Sequence, residues 1–127
     1  MANHYRYKYW AQRMLKKLKN ETINAGQEPR PRHPGEILKA EYLDPMGITQ
    51  QELADYLRIT RVRINEVLLG KRAISTDTAI RLARFFDTTV NYWLGMQTEV
   101  DLWDAINNNE EEYLKIIPLK ELKKNKV

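Results

Sequence analysis

The chain has 127 residues, 43% of them hydrophobic and 30% charged, which suits one globular domain with room for tails. It has no cysteine, which excludes disulfides and thiolate metal ligands, and no apolar run near the roughly 18 residues that would cross a bilayer. The net charge of +4 is unevenly spread: residues 1–32 carry eight Lys/Arg against two Glu, residues 33–103 carry eight against ten acids, and residues 104–127 carry five against five.

The basic N-terminus, MANHYRYKYWAQRMLKKLKN, lacks the apolar core and cleavage site of a secretory signal, so a cytoplasmic protein without membrane attachment is expected. Residues 25–34, AGQEPRPRHP, hold three of the five prolines and read as a linker ending at a helix start. Pro34 suits the first helical position and Glu36 lies in the first turn, where a carboxylate meets unpaired amides. Ile37, Leu38, Tyr42 and Leu43 give a helical stripe, which Asp44-Pro45-Met46-Gly47 is expected to stop. Thr49 and Glu52 form a capping box that opens a second helix, with Leu53, Ala54 and Leu57 inward. After the short turn Arg58-Ile59-Thr60, Thr60 caps a third helix with Ile64, Val67 and Leu68 inward and Gly70 as its stop. Ser75 caps a fourth, with Ala79, Leu82, Ala83 and Phe86 inward. A fifth begins near Thr89, where Val90, Trp93, Met96, Val100, Trp103 and Ile106 recur at three- and four-residue steps, although Gly95 weakens a helix by about 1 kcal/mol relative to Ala. The run NNNEEE at 107–112 reads as a loop, and EYLKIIPLKELKKNKV as a short helix or disorder. Five helices without an alternating strand pattern predict an all-α fold: a basic extension and linker at 1–32, a domain at 33–106 and a polar tail at 107–127.

Two helices joined by so short a turn form a helix-turn-helix. Its second helix can enter the major groove, about 12 Å wide in B-DNA, while the first crosses the phosphate backbone. Ala54 permits close packing, and Ile64 and Val67 hold the second helix, Thr60 to Leu69, to the core. Arg61, Val62, Arg63, Asn65 and Glu66 are then left on outward or edge positions. Residues 58–72 carry Arg58, Arg61, Arg63, Lys71 and Arg72 against Glu66 alone, a basic patch on a slightly acidic domain. An arginine fork matches guanine and asparagine matches adenine; Val62 can meet a thymine methyl, and Glu66 can accept from cytosine or orient an arginine. Thr49, Gln50, Lys71 and Arg72 are candidates for phosphate contacts. A solvated charged face is the plain alternative for such a cluster; the helix-turn-helix frame favours DNA.

The segments HPGEIL at 33–38, ITQQELADYL at 48–57, TRVRINEVLLGKRAIS at 60–75, TAIRLARFFDTT at 78–89 and YWLGMQTEVDLW at 92–103 resemble the Xre/Cro-type helix-turn-helix family. Within it they are most similar to the HigA antitoxin subfamily, once labelled virulence-associated protein I. The resemblance implies a five-helix lambda-repressor-like domain in a cytoplasmic bacterial homodimer. It implies binding to palindromic operator DNA in the protein's own promoter, and silencing of a HigB-like ribosome-dependent messenger RNA endonuclease. The subfamily also includes stand-alone repressors without a toxin, an alternative that the residues leave open. The base-contact positions of the phage repressors fall on Arg61, Val62 and Glu66, with Arg63 and Asn65 beside them, and the phosphate-anchoring glutamine on Gln50. The dimer surface falls on the fifth helix, at Trp93, Met96, Val100 and Trp103, where burial in the chain's own core is the rival reading, above all for Trp93. Two positions depart from the pattern: the turn residue, usually glycine, is Arg58, and a common asparagine is Gly95.

Catalysis finds no support. His4 and His33 lie in the tail and linker, there is no thiol nucleophile, HExxH motif or glycine-rich phosphate loop, and Asp101 and Asp104 read as solvated helix residues. No cofactor is expected. For the N-terminal tract, with Tyr5, Tyr7, Tyr9 and Trp10 among Arg6, Lys8 and Arg13, three readings stand open: a basic arm touching phosphates, a segment that folds on a toxin or other partner, or an artefact of a true start at Met14.

Overall fold

The computed structural model describes residues 29–124, and these contain helices and no strand. The calls for loops and helices upstream of residue 29, including the three readings of the N-terminal tract, lie outside the described residues. Helix α1 (residues 34–46) opens as Pro34–Ile37, continues as a π-helical stretch Leu38–Leu43 and closes with Asp44–Met46. The expected stop at Asp44-Pro45 is therefore displaced. In a regular α-helix Pro45 would lack a donor and collide with the carbonyl one turn back. Here the turn is widened, with the Asp44 amide reaching five residues back to the Lys39 carbonyl, and the ring is accommodated. The helix ends at Gly47, whose φ of 66° an L side chain would resist.

Helices α2 (Gln50–Leu57), α3 (Arg61–Leu68) and α4 (Thr76–Phe86) fall where the caps place them. Thr49 makes the full capping box with Glu52, and Thr60 and Ser75 accept from the amides of Arg63 and Thr78. Helix α5 (Val90–Leu114) starts from the Thr89 cap and passes Gly95 without a break. It also runs through 107–112, which corrects the expected loop: the Asn107 amide donates to the Trp103 carbonyl at 2.8 Å, and only Asn109 leaves helical geometry. Glutamates at 110–112 favour helix once the asparagines are passed. Pro118 then starts α6 (Leu119–Lys124), so the tail contains the short helix, one of the two forms its sequence allowed.

Leu38, Leu53, Ile64, Val67, Ala79, Leu82 and Trp93 have no exposed surface and form the centre of the core. Trp93 lies 5.2 Å from the Tyr42 ring and donates its indole N–H to Thr88 Oγ1 at 2.8 Å. This position corrects the proposed dimer stripe. Trp93, Met96 and Val100 are buried within one chain, because the first half of α5 packs on α4 and α1, so they offer no face to a second copy. Trp103 alone of the four is half-buried.

The HPGE segment sets how α1 meets α3. His33 Nδ1 accepts from the Gly35 amide at 2.9 Å and caps α1, while Pro34 occupies its first turn. A Cβ on Gly35 would lie 1.9 Å from the Val67 carbonyl oxygen, so only glycine lets the two helices approach this closely. At Gly47 a Cβ would meet nothing within 4 Å. Gly35→Ala should therefore cost about 3 kcal/mol by overpacking, and Gly47→Ala only about 1 kcal/mol of backbone strain; urea titration of both variants checks the order. Burial, and next the Arg30 charge, hold the His33 imidazole below its usual range. The unfolded chain thus takes up a proton before the folded one does. Stability is complete above the ordinary histidine range near pH 6.5 and falls as pH drops through it. Melting temperatures between pH 7.5 and 5 should show this slope, and His33→Asn, which keeps a cap acceptor, should flatten it.

Candidate nucleic-acid interface

The corner between α2 and α3 is a backbone device. Arg58 is left-handed, with φ 60° and ψ 43°, and its amide bonds the Asp55 carbonyl at 3.2 Å while the Ile59 amide bonds the Ala54 carbonyl at 3.0 Å. This is the glycine-type helix stop made by arginine, at a steric cost of about 1–2 kcal/mol. The same corner recurs between α4 and α5. Asp87 is left-handed with φ 55°, Thr88 bonds back to the Ala83 carbonyl at 3.0 Å, and Thr89 caps the next helix, as Thr60 does after Arg58.

A polar clamp fixes α3 on the far side of that corner. The Arg63 guanidinium donates to Asp77 Oδ2 at 2.8 Å and to the hydroxyls of Thr78 and Ser75 at the start of α4. Asp77 also accepts from Arg81 Nε at 2.9 Å, and Arg81 Nη1 donates to the Leu57 carbonyl at the end of α2. Arg63, then Arg81, holds the Asp77 carboxyl below its usual range. The end of α2, the first turn of α3 and the first turn of α4 are thereby joined by one set of charge-assisted bonds. Neither Asp77 nor Arg81 stands out in the sequence, since each looks like a solvated helix charge. Gln97 was equally hidden: its buried side chain accepts from the Ile74 amide at 2.8 Å and ties the loop after α3 to α5, and only its place after the YWL motif marks it.

Gln50, Arg61, Val62, Asn65, Glu66 and Lys71, together with Leu69, line one shallow groove across α2 and α3. Six of the ten residues expected at a DNA surface are thus brought together. Val62 is 65% exposed at its centre, and Leu69 at 59% is an apolar member that sequence reasoning left out. Arg72 stands at the edge, where its Nε donates to Glu66 Oε2 at 2.7 Å, so Glu66 does orient an arginine. Thr49 and Thr60 use their hydroxyl oxygens as caps at 3.1 Å and sit exposed at the starts of α2 and α3. Arg63 does not join the groove: three-quarters buried in the clamp, it faces the body of the domain. The arrangement offers a planar cation, a primary amide and an apolar methyl pair on one exposed helix face, with further cations at its margin, which is the chemistry that reads base edges and phosphates.

A helix-turn-helix family model (HTH_3) matches residues 39–93. Over 99 residues the chain is 44% identical to virulence-associated protein I of Dichelobacter nodosus, spanning 77% of this chain and 91% of that protein. It is 39% identical over 90 residues to antitoxin HigA-1 of Vibrio cholerae, spanning 71% and 85%. Among solved structures it is similar to Pseudomonas aeruginosa antitoxin HigA with higBA promoter, at TM-score 0.68 and 40% identity over 71% of this chain and 99% of that one. None of the three carries the name of an enzyme.

The two arginines of α3 should separate in a thermal melt. Arg63→Ala removes a donor from the nearly inaccessible Thr78 hydroxyl and should cost about 1–2 kcal/mol. Arg61→Ala, on the exposed face, should stay within about 0.5 kcal/mol of the parent.

Proposed function

The chain belongs to the helix-turn-helix family that contains the HigA antitoxins and virulence-associated protein I, and from that membership we propose a homodimeric, operator-binding antitoxin that represses its own operon and silences a HigB-like messenger RNA endonuclease. The observation that carries the DNA part is the single exposed groove uniting Gln50, Arg61, Val62, Asn65 and Lys71, in a fold whose Pseudomonas counterpart is solved with promoter DNA.

In this reading α3 enters the major groove. Arg61 lies where its fork can take guanine O6 and N7, Asn65 can pair with adenine, and Val62 can touch a thymine methyl. Gln50 and Thr49, beside the free amides at the start of α2, hold a phosphate, as do Lys71 and the Arg72 side chain that Glu66 orients. Arg63 serves DNA binding from behind, by keeping the first turn of α3 at a fixed angle to α4. A two-fold dimer presents two such helices to half-sites with centres about 34–36 Å apart. With Trp93, Met96 and Val100 committed to the core, Trp103 and other exposed residues supply the second copy's surface. No helix among the described residues is long and apolar enough to cross a membrane, and the protein acts in the cytoplasm.

Fluorescence anisotropy against the DNA upstream of the gene, with scrambled competitor at two salt concentrations, tests the proposal. Specific binding that weakens steeply with salt is expected, and Arg61→Ala should lose about 1–3 kcal/mol and relax preference at one base pair. Equal affinity for operator and scrambled DNA would sink the repressor reading. The toxin part is checked by co-expression with the adjacent endonuclease gene: growth should be restored by the parent and by Arg61→Ala alike.

A further inference from the structure

Helix α5 carries six carboxylates and not one Lys or Arg in its 25 residues. Three of them, Glu110, Glu111 and Glu112, crowd its last turns. That is the wrong end for anions, because the carbonyls there already present negative charge, and like charges one turn apart repel. Lys115 answers Glu112 at 2.8 Å. The only other cation recorded against these acids comes from far away in sequence: Arg30 grips Asp104 through Nε and Nη2 at 2.8 and 2.9 Å, and that pairing holds the Asp104 carboxyl below its usual range. Just beyond the acids lie Ile116, Ile117, Leu119 and Leu122, each between 44% and 67% exposed and adjoining exposed Leu114. That is an apolar patch with an acidic border, of the kind that marks a docking surface.

Arg30 also fixes where the preceding chain departs, beside the middle of α5. Residues 1–28 carry six Lys/Arg against two Glu, the opposite charge to α5. Trp10, Met14 and Leu18 recur at four-residue steps, the spacing of one helix face, with Arg13, Lys16, Lys17 and Lys19 around them. Asp104 to Leu114 spans about 15 Å of helix. Some ten linker residues reach about 33 Å when extended, so the apolar spacing falls within range of the patch.

We propose that residues 1–28 dock in cis on the far half of α5 and on α6, with Trp10, Met14 and Leu18 against Leu114, Ile117 and Leu122 and the lysines against Glu110 to Glu112. The N-terminal segment then acts as a strap that covers the apolar end of its own chain and neutralises the acidic last turns of α5. The proposal is independent of the DNA groove.

Because the chain has no cysteine, Asn108→Cys introduces a single attachment point for a nitroxide in the full-length protein and leaves every acid in place. In nitrogen-15 spectra the amides of residues 8–19 should lose most of their intensity when the label is oxidised and regain it on reduction. Reversing Lys16, Lys17 and Lys19 to Glu should abolish the loss while the melting temperature of the domain stays near the parent's. Undiminished signals from residues 8–19 would overturn the proposal. So would a loss carried wholly by a mixture of nitroxide-labelled and isotope-labelled molecules, which would make a second copy the occupant.

Discussion

An eight-residue helix cannot hold its own shape in water, since isolated helices below about 12–15 residues are marginal. Yet α3 (Arg61–Leu68) must present its outer face at a defined angle. The domain is organised around that constraint. One side of α3 is bound by apolar burial of Ile64, Val67 and Leu68. Its carbonyl at Val67 is met by the backbone of α1, at a distance that Gly35 alone allows. Its first turn is capped by Thr60 and gripped by the Arg63 clamp, which reaches α4 directly and α2 through Asp77 and Arg81. Three kinds of force thus act on three sides of one short helix, and its fourth side is left for a ligand.

Much of this was legible. The caps at Thr49, Thr60, Ser75 and Thr89 and the apolar steps between them mark four helix starts because each cap satisfies amides that have no other partner. The groove was legible for the same reason: once α3 is phased by Ile64 and Val67, Arg61, Val62 and Asn65 must face out. Arg63 was harder. It sits at the edge of the helix, and which way an edge arginine turns depends on what α4 places opposite, a contact between residues 14 apart in sequence. Pro45 misled because the widened turn that accepts it leaves no mark in the sequence. The polar run at 107–112 misled because asparagine side chains can bond within a helix as well as in a loop. The aromatic stripe of α5 was correctly seen as apolar, but periodicity does not say whether an apolar face meets the same chain or another.

Charge is partitioned with unusual strictness. Cations gather between 58 and 72 and upstream of residue 33, while α5 has none of its own. A basic surface with an acidic helix elsewhere on so small a body resists nonspecific self-association less through total charge than through its arrangement, because opposite patches on neighbouring molecules attract. Covering the acidic helix with the chain's own basic segment, which Arg30 begins to do at Asp104, removes that liability within the molecule.

The two matching corners, Ala54 to Thr60 and Ala83 to Thr89, bear on how such a domain can change over time. Each bend is specified by main-chain bonds, an alanine small enough for close packing and a threonine cap, whereas the left-handed residue itself, Arg58 in one and Asp87 in the other, is exposed. Opposite charges therefore occupy equivalent places without altering the direction of the helix that follows. Mutation at these two positions can retune the local field of the protein while its architecture is inherited intact, a separation of what is displayed from what displays it.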